Sequence, residues 1–447
     1  MSRPQWLTAS PYDREIARLA VPAFGALIAE PLYLLADTAV VARLGTDSLD
    51  GLALAAQPLL IGHAVFIFLA YGTTAAVGRL LGAGEQRRAA HQAVQSVWLA
   101  AVIGLAVLIL GQLLAEPLVA LFGGELGRSG PVRNEALTYL RISLFGFPFL
   151  LMSLAGVGYL RGLQDTVRPL VVSVGSATLN LVLELVLIYG FDFGIGASAF
   201  ATVVAQVVAA GLYVHWIRRE VRRHGVGLGA DRSAIRSLAG AGVDLFWRTL
   251  ALRGSFTVAT AAAARLGSVA LAAHQITFEL WSFLALGLDA IAIAGQAIVA
   301  RMLGAGDPDE ARAVSDRMVQ WGAAAGVATG LLVLALRPVL PQVFSPDEAV
   351  QTVTALLLVW MAVSQPVNGV VFALDGILIG AGDLRFLAKA MWVAALLFIP
   401  WAVAVVVLDL GVGWLWAGLG LFMVVRLVTL WIRYRTDRWL VVGAEMA

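Results

Sequence analysis

The chain has no cysteine and a single lysine, Lys389, and charged side chains make up only 13% of its 447 residues. Without cysteine there can be no disulfide, thiolate metal site, iron–sulfur cluster or cysteine nucleophile. The shortage of lysine carries no functional weight. The shortage of charge does, because a soluble domain carries roughly 25% charged residues. About half of the usual surface charge is missing, so most of the surface must face lipid. What is present agrees: 60% of residues are hydrophobic and 46 are glycine. A net charge of +2 supplies no field for nucleic acid. Disorder, collagen-like structure and nucleic-acid binding are excluded.

Apolar runs bounded by charges or Gly/Pro clusters fall near 15-42, 53-81, 92-114, 135-160, 168-190, 195-216, 237-262, 270-300, 319-341, 351-379, 386-408 and 413-433. A span needs roughly 20 apolar residues, so these predict twelve transmembrane helices. The first run is too long for a cleavable signal peptide and no A-x-A-like site follows it. With both termini inside, the inner segments carry twenty-three basic residues, including Arg3, Arg14, Arg18, Arg87 and Arg88. The outer segments carry Arg43, Arg128, Arg133, Arg265 and Arg337. That bias predicts an even helix count and two cytoplasmic ends.

The sequence repeats itself. Ala42-Arg43-Leu44-Gly45 recurs as Ala264-Arg265-Leu266-Gly267, and Arg79-Leu80-Leu81-Gly82-Ala83-Gly84-Glu85 as Arg301-Met302-Leu303-Gly304-Ala305-Gly306-Asp307. Pro148 and Asp165 find counterparts in Pro366 and Asp383. The expected organisation is two six-helix bundles, 1-217 and 237-447, joined by a basic cytoplasmic linker at 218-236. Six being even, the copies run in the same direction, as parallel repeats do. The fold class expected is all-α integral membrane, with two parallel six-helix bundles around a central cleft. Such a cleft can open alternately to either side, which makes a transporter the leading expectation.

An ionisable group at membrane depth costs roughly 2.5–3.5 kcal/mol on insertion scales, so each is a functional candidate. Glu30 and Asp37 lie two turns apart on one face of the first helix, with Asp37 about 9 Å below the outer end at Arg43. Asn180 and Glu184 are one turn apart in the fifth, Glu184 being about 12 Å below Asp192. Thr202 and Gln206 lie at comparable depth in the sixth. Glu30, Asp37, Asn180 and Glu184 have as counterparts in the second half Leu252, Ala259, Phe398 and Ala402, so a dedicated site is expected in the first bundle. Two carboxyls close together in low dielectric cannot both be ionised cheaply, so such a pair exchanges protons, or holds Na⁺ with nearby Asn and Thr oxygens. Residue types do not separate the two ions. Interhelical hydrogen bonding alone is the competing reading for Asp37 and Glu184, and more so for Glu30 beside the kinking Pro31.

Second-half candidates are Asp244, Arg248 and Arg253 in helix seven, His274, Glu279 and Asp289 in helix eight, and Asp375 in helix ten. Asp244 and Arg248 form an i, i+4 pair expected to neutralise itself. His63 and His274 read as interhelical hydrogen-bonding residues, since no metal-ligand spacing accompanies either. The Gly-Ala-Gly-Glu and Gly-Ala-Gly-Asp segments lack the phosphate-loop pattern and read as tight turns ending helices. Tyr33, Phe66, Phe68, Phe278, Trp281 and Phe283 are aromatic candidates for stacking on a cationic ligand. Most tryptophans are expected at lipid interfaces.

The run Ala29-Glu30-Pro31-Leu32-Tyr33-Leu34-Leu35-Ala36-Asp37-Thr38-Ala39, with Leu271-Ala272-Ala273-His274-Gln275-Ile276 and Asp375-Gly376-Ile377-Leu378-Ile379-Gly380-Ala381-Gly382-Asp383, resembles the DinF-like branch of the multidrug and toxic compound extrusion (MATE) family. The resemblance covers essentially the whole chain. It implies a proton-coupled or sodium-coupled antiporter of the bacterial inner membrane that exports organic, cationic and amphipathic small molecules by alternating access. It implies no enzyme activity, no cofactor beyond the coupling ion, and a monomer in contact with membrane lipid. Asp37 matches the branch's proton or cation site. Asn180 and Glu184 match its fifth-helix pair, with Glu in place of Asp lengthening the side chain by one methylene. The cation- and proton-coupling set is then Asp37, Glu184, Asn180, Thr202 and Glu30, and the substrate-binding set Tyr33, Gln206, Asp37, Glu279 and Trp281. A lipid-linked precursor or polysaccharide exporter of the same superfamily is the alternative, which the acidic first-bundle face suits less well. An intramembrane enzyme or receptor is the remote one, with no HExxH or GxSxG motif present.

Overall fold

Along one helix of the first half small residues face inward and large apolar ones face outward, the reverse of a helix in a soluble bundle. On the helix Gln86–Gly123 the side chains of Val102, Leu105, Ile109 and Leu113, three or four residues apart, are all more than half exposed, while Ala93, Ala100 and Gly104 are buried. Lipid is as apolar as leucine, so no hydrophobic force pulls the large side chains in, and close approach of backbones holds the helices together instead. Gly104 shows the effect: a Cβ there would lie 2.4 Å from Pro148 Cα.

The computed structural model describes residues 10–125, 127–191 and 193–444. Arg3 and Asp192, used above for orientation and depth, lie outside the described residues. The helices are α1 (Asp13–Val41), α2 (Thr46–Phe66), α3 (Phe68–Gly82), α4 (Gln86–Gly123), α5 (Pro131–Leu144), α6 (Phe147–Gly162), α7 (Val167–Leu185), α8 (Ile195–Arg223), α9 (Arg232–Arg265), α10 (Ser268–Gly304), α11 (Pro308–Leu336), α12 (Leu340–Phe344), α13 (Glu348–Ala381), α14 (Leu384–Val407) and α15 (Val412–Arg435). No strand occurs among the described residues. Among the described residues ten helical stretches are long and apolar enough to cross a membrane, α2 with α3 counting as one, and an eleventh arises if α5 and α6, bent by 48°, form one broken span. The remaining predicted span corresponds to α9, whose apolar run is interrupted by Asp244, Arg248 and Arg253.

The chain divides into two compact units. One comprises 25–242, the other 243–447 together with 1–24, so α1 is divided after Phe24 and α9 after Gly242. Asp13 shows why the start of α1 groups with the second unit: its carboxylate takes two hydrogen bonds from Arg317 at 2.7 Å and one from the Trp321 indole at 2.8 Å. Most of 218–236 is helical, the ends of α8 and α9 leaving only 224–231 between them. That loop is tied to α4, where Gln95 Nε2 donates to Gly229 O at 3.0 Å and Trp98 Nε1 to Leu228 O at 2.9 Å.

The duplication reappears in the backbone. Gly45 and Gly267 precede α2 and α10 with φ of 122° and 115°. Gly84 and Gly306 follow α3 and α10 at φ 75° and 78°, and the next amide reaches back to Leu80 O in one and Met302 O in the other. Both are left-handed C-caps that glycine adopts without strain, the turns expected of the Gly-Ala-Gly segments.

Candidate functional site

Asp37, Asn180, Glu184 and Ser198 are all buried at 2% exposure or less, although each is polar. The α-helical repeat brings them together: Asp37 lies on the inner face of α1, Asn180 and Glu184 one turn apart on α7, and Ser198, Thr202 and Gln206 at four-residue steps on α8. Ser198 Oγ donates to Asp37 Oδ1 at 2.6 Å. Thr202 Oγ1 donates to the Ser198 carbonyl at 3.1 Å and so, having one proton, accepts from both Asn180 Nδ2 and Tyr33 OH at 2.9 Å. These bonds tie α1, α7 and α8 into one polar core.

Glu184 stands at the centre of this core within electrostatic reach of Asp37, yet neither of its carboxyl oxygens has a hydrogen-bond donor. The side-chain oxygens of Asn180 and Gln206 also lack one. Buried oxygens are normally satisfied. A group of acceptors short of donors is what a transferable proton or a small hard cation would complete. Among the described residues there is no cluster of three or more His, Asp or Glu side chains suited to a transition metal.

Next to this core opens a cavity of about 320 Å³. Asn180, Thr202 and Gln206 form part of its wall, Glu30 and His63 another part, and Tyr33, Tyr139, Phe147 and Tyr213 its aromatic surfaces. Asp37 and Glu184 do not line it. The Glu30 carboxylate lies 3.2 Å from His63 Nδ1, an interhelical contact between α1 and α2.

The other candidates lie elsewhere. Glu279 is exposed on α10 and does not line this cavity, and Trp281 packs against Phe256 and Phe278. Of the aromatic candidates only Tyr33 lines the cavity. The expected self-neutralising pair of Asp244 and Arg248 does not form. Arg248 donates to Asp375 at 2.8 Å, Arg426 donates to the same oxygen, and Asp244 lies 3.6 Å from Arg385. The reason is position: Arg248, Asp375 and Arg426 are each less than 10% exposed, so a shared buried carboxylate satisfies both guanidinium groups, while Asp244 retains access to solvent. His274 behaves as expected, accepting from Trp416 Nε1 at Nδ1 (3.2 Å) and therefore carrying its proton on Nε2 toward Thr260 Oγ1 (3.2 Å).

Sequence reasoning missed Ser198 and Tyr139. Ser198 sits one turn before Thr202, so extending the α8 polar stripe by one step would have found it. Tyr139 comes from α5, where no polar periodicity marks it.

The MatE family profile matches residues 22–186 and 248–404. Protein DETOXIFICATION 44, chloroplastic, of Arabidopsis thaliana is 31% identical over 440 residues, covering 95% of this chain and 83% of its own. DNA damage-inducible protein F of Escherichia coli (strain K12) is 29% identical, covering 97% and 95%. A solved structure of a MOP superfamily transporter from Pyrococcus furiosus superposes with a TM-score of 0.85 at 21% identity, 97% of each chain being covered, and so shares the fold. The profile takes in both copies of the repeated unit, and the chain belongs to the MatE family of multi-pass membrane transporters.

Proposed function

We propose that this protein is a secondary antiporter that exports organic cations in exchange for H⁺, with Na⁺ as the alternative coupling ion. It works by alternating access as a monomer in a bacterial inner membrane, both termini being cytoplasmic. The observation that carries this reading is the Asp37–Glu184 pair, two buried carboxyls of which only Asp37 takes the Ser198 hydroxyl, set behind the wall of a cavity large enough for a small organic molecule. One proton between two such carboxyls removes a charge from low dielectric, and its departure restores it. That change acts on the helices that form the cavity, because Tyr33 and Asn180 converge on Thr202, whose hydroxyl binds the carbonyl of the residue that holds Asp37. Loading with a small cation therefore bears on the geometry of the organic site.

The test is ethidium efflux from cells expressing matched amounts of wild type or Asp37→Asn. The variant is expected to lose export while still inserting in the membrane. Export at the wild-type rate would remove Asp37 from the mechanism.

A further inference from the structure

The cavity wall holds a carboxylate–imidazole contact that the coupling core does not use. Glu30 and His63 face each other across it at 3.2 Å, and their side chains keep 49% and 23% of their surface accessible. Asp37, by contrast, is 2% exposed and does not line the cavity. Glu30 therefore lies on the cavity wall, within reach of an organic molecule there, and Asp37 lies behind it.

A carboxylate at this depth requires a counter-charge. Among the described residues lining the cavity, His63 is the one basic side chain. The other ionisable groups facing the space are Tyr33 from α1, Tyr139 from α5 and Tyr213 from α8, phenols that are neutral near pH 7; α6 and α7 contribute no charged group to the lining. The remaining surface is apolar or aromatic, including Leu60 and Phe147, suited to a flat hydrophobic cation. A charged imidazole and an organic cation are thus alternatives for the same carboxylate.

We propose that Glu30 and His63 form an exchange site at which an organic monocation and a proton compete for the Glu30 carboxylate. Entry of the cation breaks the His63–Glu30 contact. The imidazolium releases its proton to water and remains neutral, so one positive charge enters as one leaves and the cavity's net charge is unchanged. Departure of the cation reverses the step. This deepens the antiport reading and rests on it for the identity of the cargo: the small cation occupies the Asp37–Glu184 core, and the organic cation occupies a separate carboxylate with its own proton.

Binding of ethidium to the purified full-length protein, followed by fluorescence anisotropy and by proton release in weak buffer, tests the proposal. Wherever His63 is protonated before binding, displacement of its one proton lowers apparent affinity about tenfold for each unit fall in pH. Wild type is expected to show that slope on the acid side of its binding profile and to release close to one proton per ethidium bound there. His63→Gln should bind with no such slope and release no proton at this site. Glu30→Gln should lose at least about tenfold in affinity at neutral pH, the scale of a lost charge-assisted contact, whereas Glu30→Asp should retain part of it. No proton release from wild type, an unchanged slope in His63→Gln, or wild-type affinity in Glu30→Gln would each overturn the proposal. Asp37→Asn separates the two readings. It should keep the His63-dependent release while losing gradient-driven export. Intact export in that variant would instead refute the antiport reading, independently of the binding data.

Discussion

Thr202 has one hydroxyl proton and gives it to the Ser198 carbonyl, which leaves its oxygen as shared acceptor for Asn180 and Tyr33. Thr202→Val preserves shape but removes that acceptor, stranding two donors at about 1–3 kcal/mol each where they are buried. We expect coupled transport to fall by tenfold or more with the protein still folded, as read by efflux rate and size-exclusion profile. A normal rate would show that the link between core and cavity is dispensable. Glu184→Gln leaves one titrating carboxyl where two interact, so the pH profile of transport should simplify from two steps to one; an unaltered profile would count against a coupled pair. In the second unit Arg248 and Arg426 both donate to Asp375. Asp375→Asn should cost about 3–5 kcal/mol by leaving buried charge uncompensated, appearing as a large drop in melting temperature. At this scale Asp37, Asn180 and Glu184 were readable because helical spacing and an apolar counterpart in the second half set them apart, and Thr202 because of its depth in the sixth predicted helix. Tyr139 and the Glu30–His63 contact were not, since each depends on which helix of a neighbouring sequence segment comes alongside, and no periodicity encodes that.

The helices illustrate the same division. Their number and placement follow from apolar length, and the Gly45/Gly267 and Gly84/Gly306 turns follow from the repeated residues. The break between Phe66 and Phe68 carries no proline or charge signature of its own and became visible only in the structure, whereas the one at Phe145–Gly146 is followed by Pro148 in the first turn of α6. Packing between α11 and α13 depends on backbone contact: a Cβ on Gly369 would lie 2.0 Å from Gly322 O, and one on Gly326 2.3 Å from Gln365 O. Gly369→Ala should therefore destabilise by about 1–3 kcal/mol through overpacking. Gly420→Ala, where a Cβ meets nothing within 4 Å, serves as the control. Equal melting temperatures in the two variants would refute the close-packing account. At the start of α9, Asp231 Oδ1 accepts from the Ser233 hydroxyl at 2.7 Å and from the Ser233 and Ala234 amides. The Ser233 hydroxyl first, and then these amides, hold the Asp231 carboxyl below the usual aspartate range. Its stabilising effect on α9 is accordingly present at neutral pH and lost as pH falls through that lowered range.

For the molecule as a whole, the distribution of arginine predicts an orientation and the absence of cysteine makes it measurable. A membrane-impermeant maleimide should label Ser129→Cys in intact cells and Arg87→Cys only after permeabilisation. The opposite pattern would invert the topology. The internal duplication was legible from short repeated segments and persists in turn geometry, but the assignment of residues 1–24 to the second unit was not, because it rests on Asp13 meeting Arg317 and Trp321 some 300 positions away. What distinguishes the two copies functionally is the acidic core of the first. The most direct test is ethidium export from proteoliposomes holding the purified protein, with a proton gradient and a sodium gradient imposed separately. Wild type should export under the proton gradient, and Asp37→Asn should export under neither. Equal export by wild type and Asp37→Asn under the same gradient would contradict the claim that this buried carboxylate couples ion to cargo.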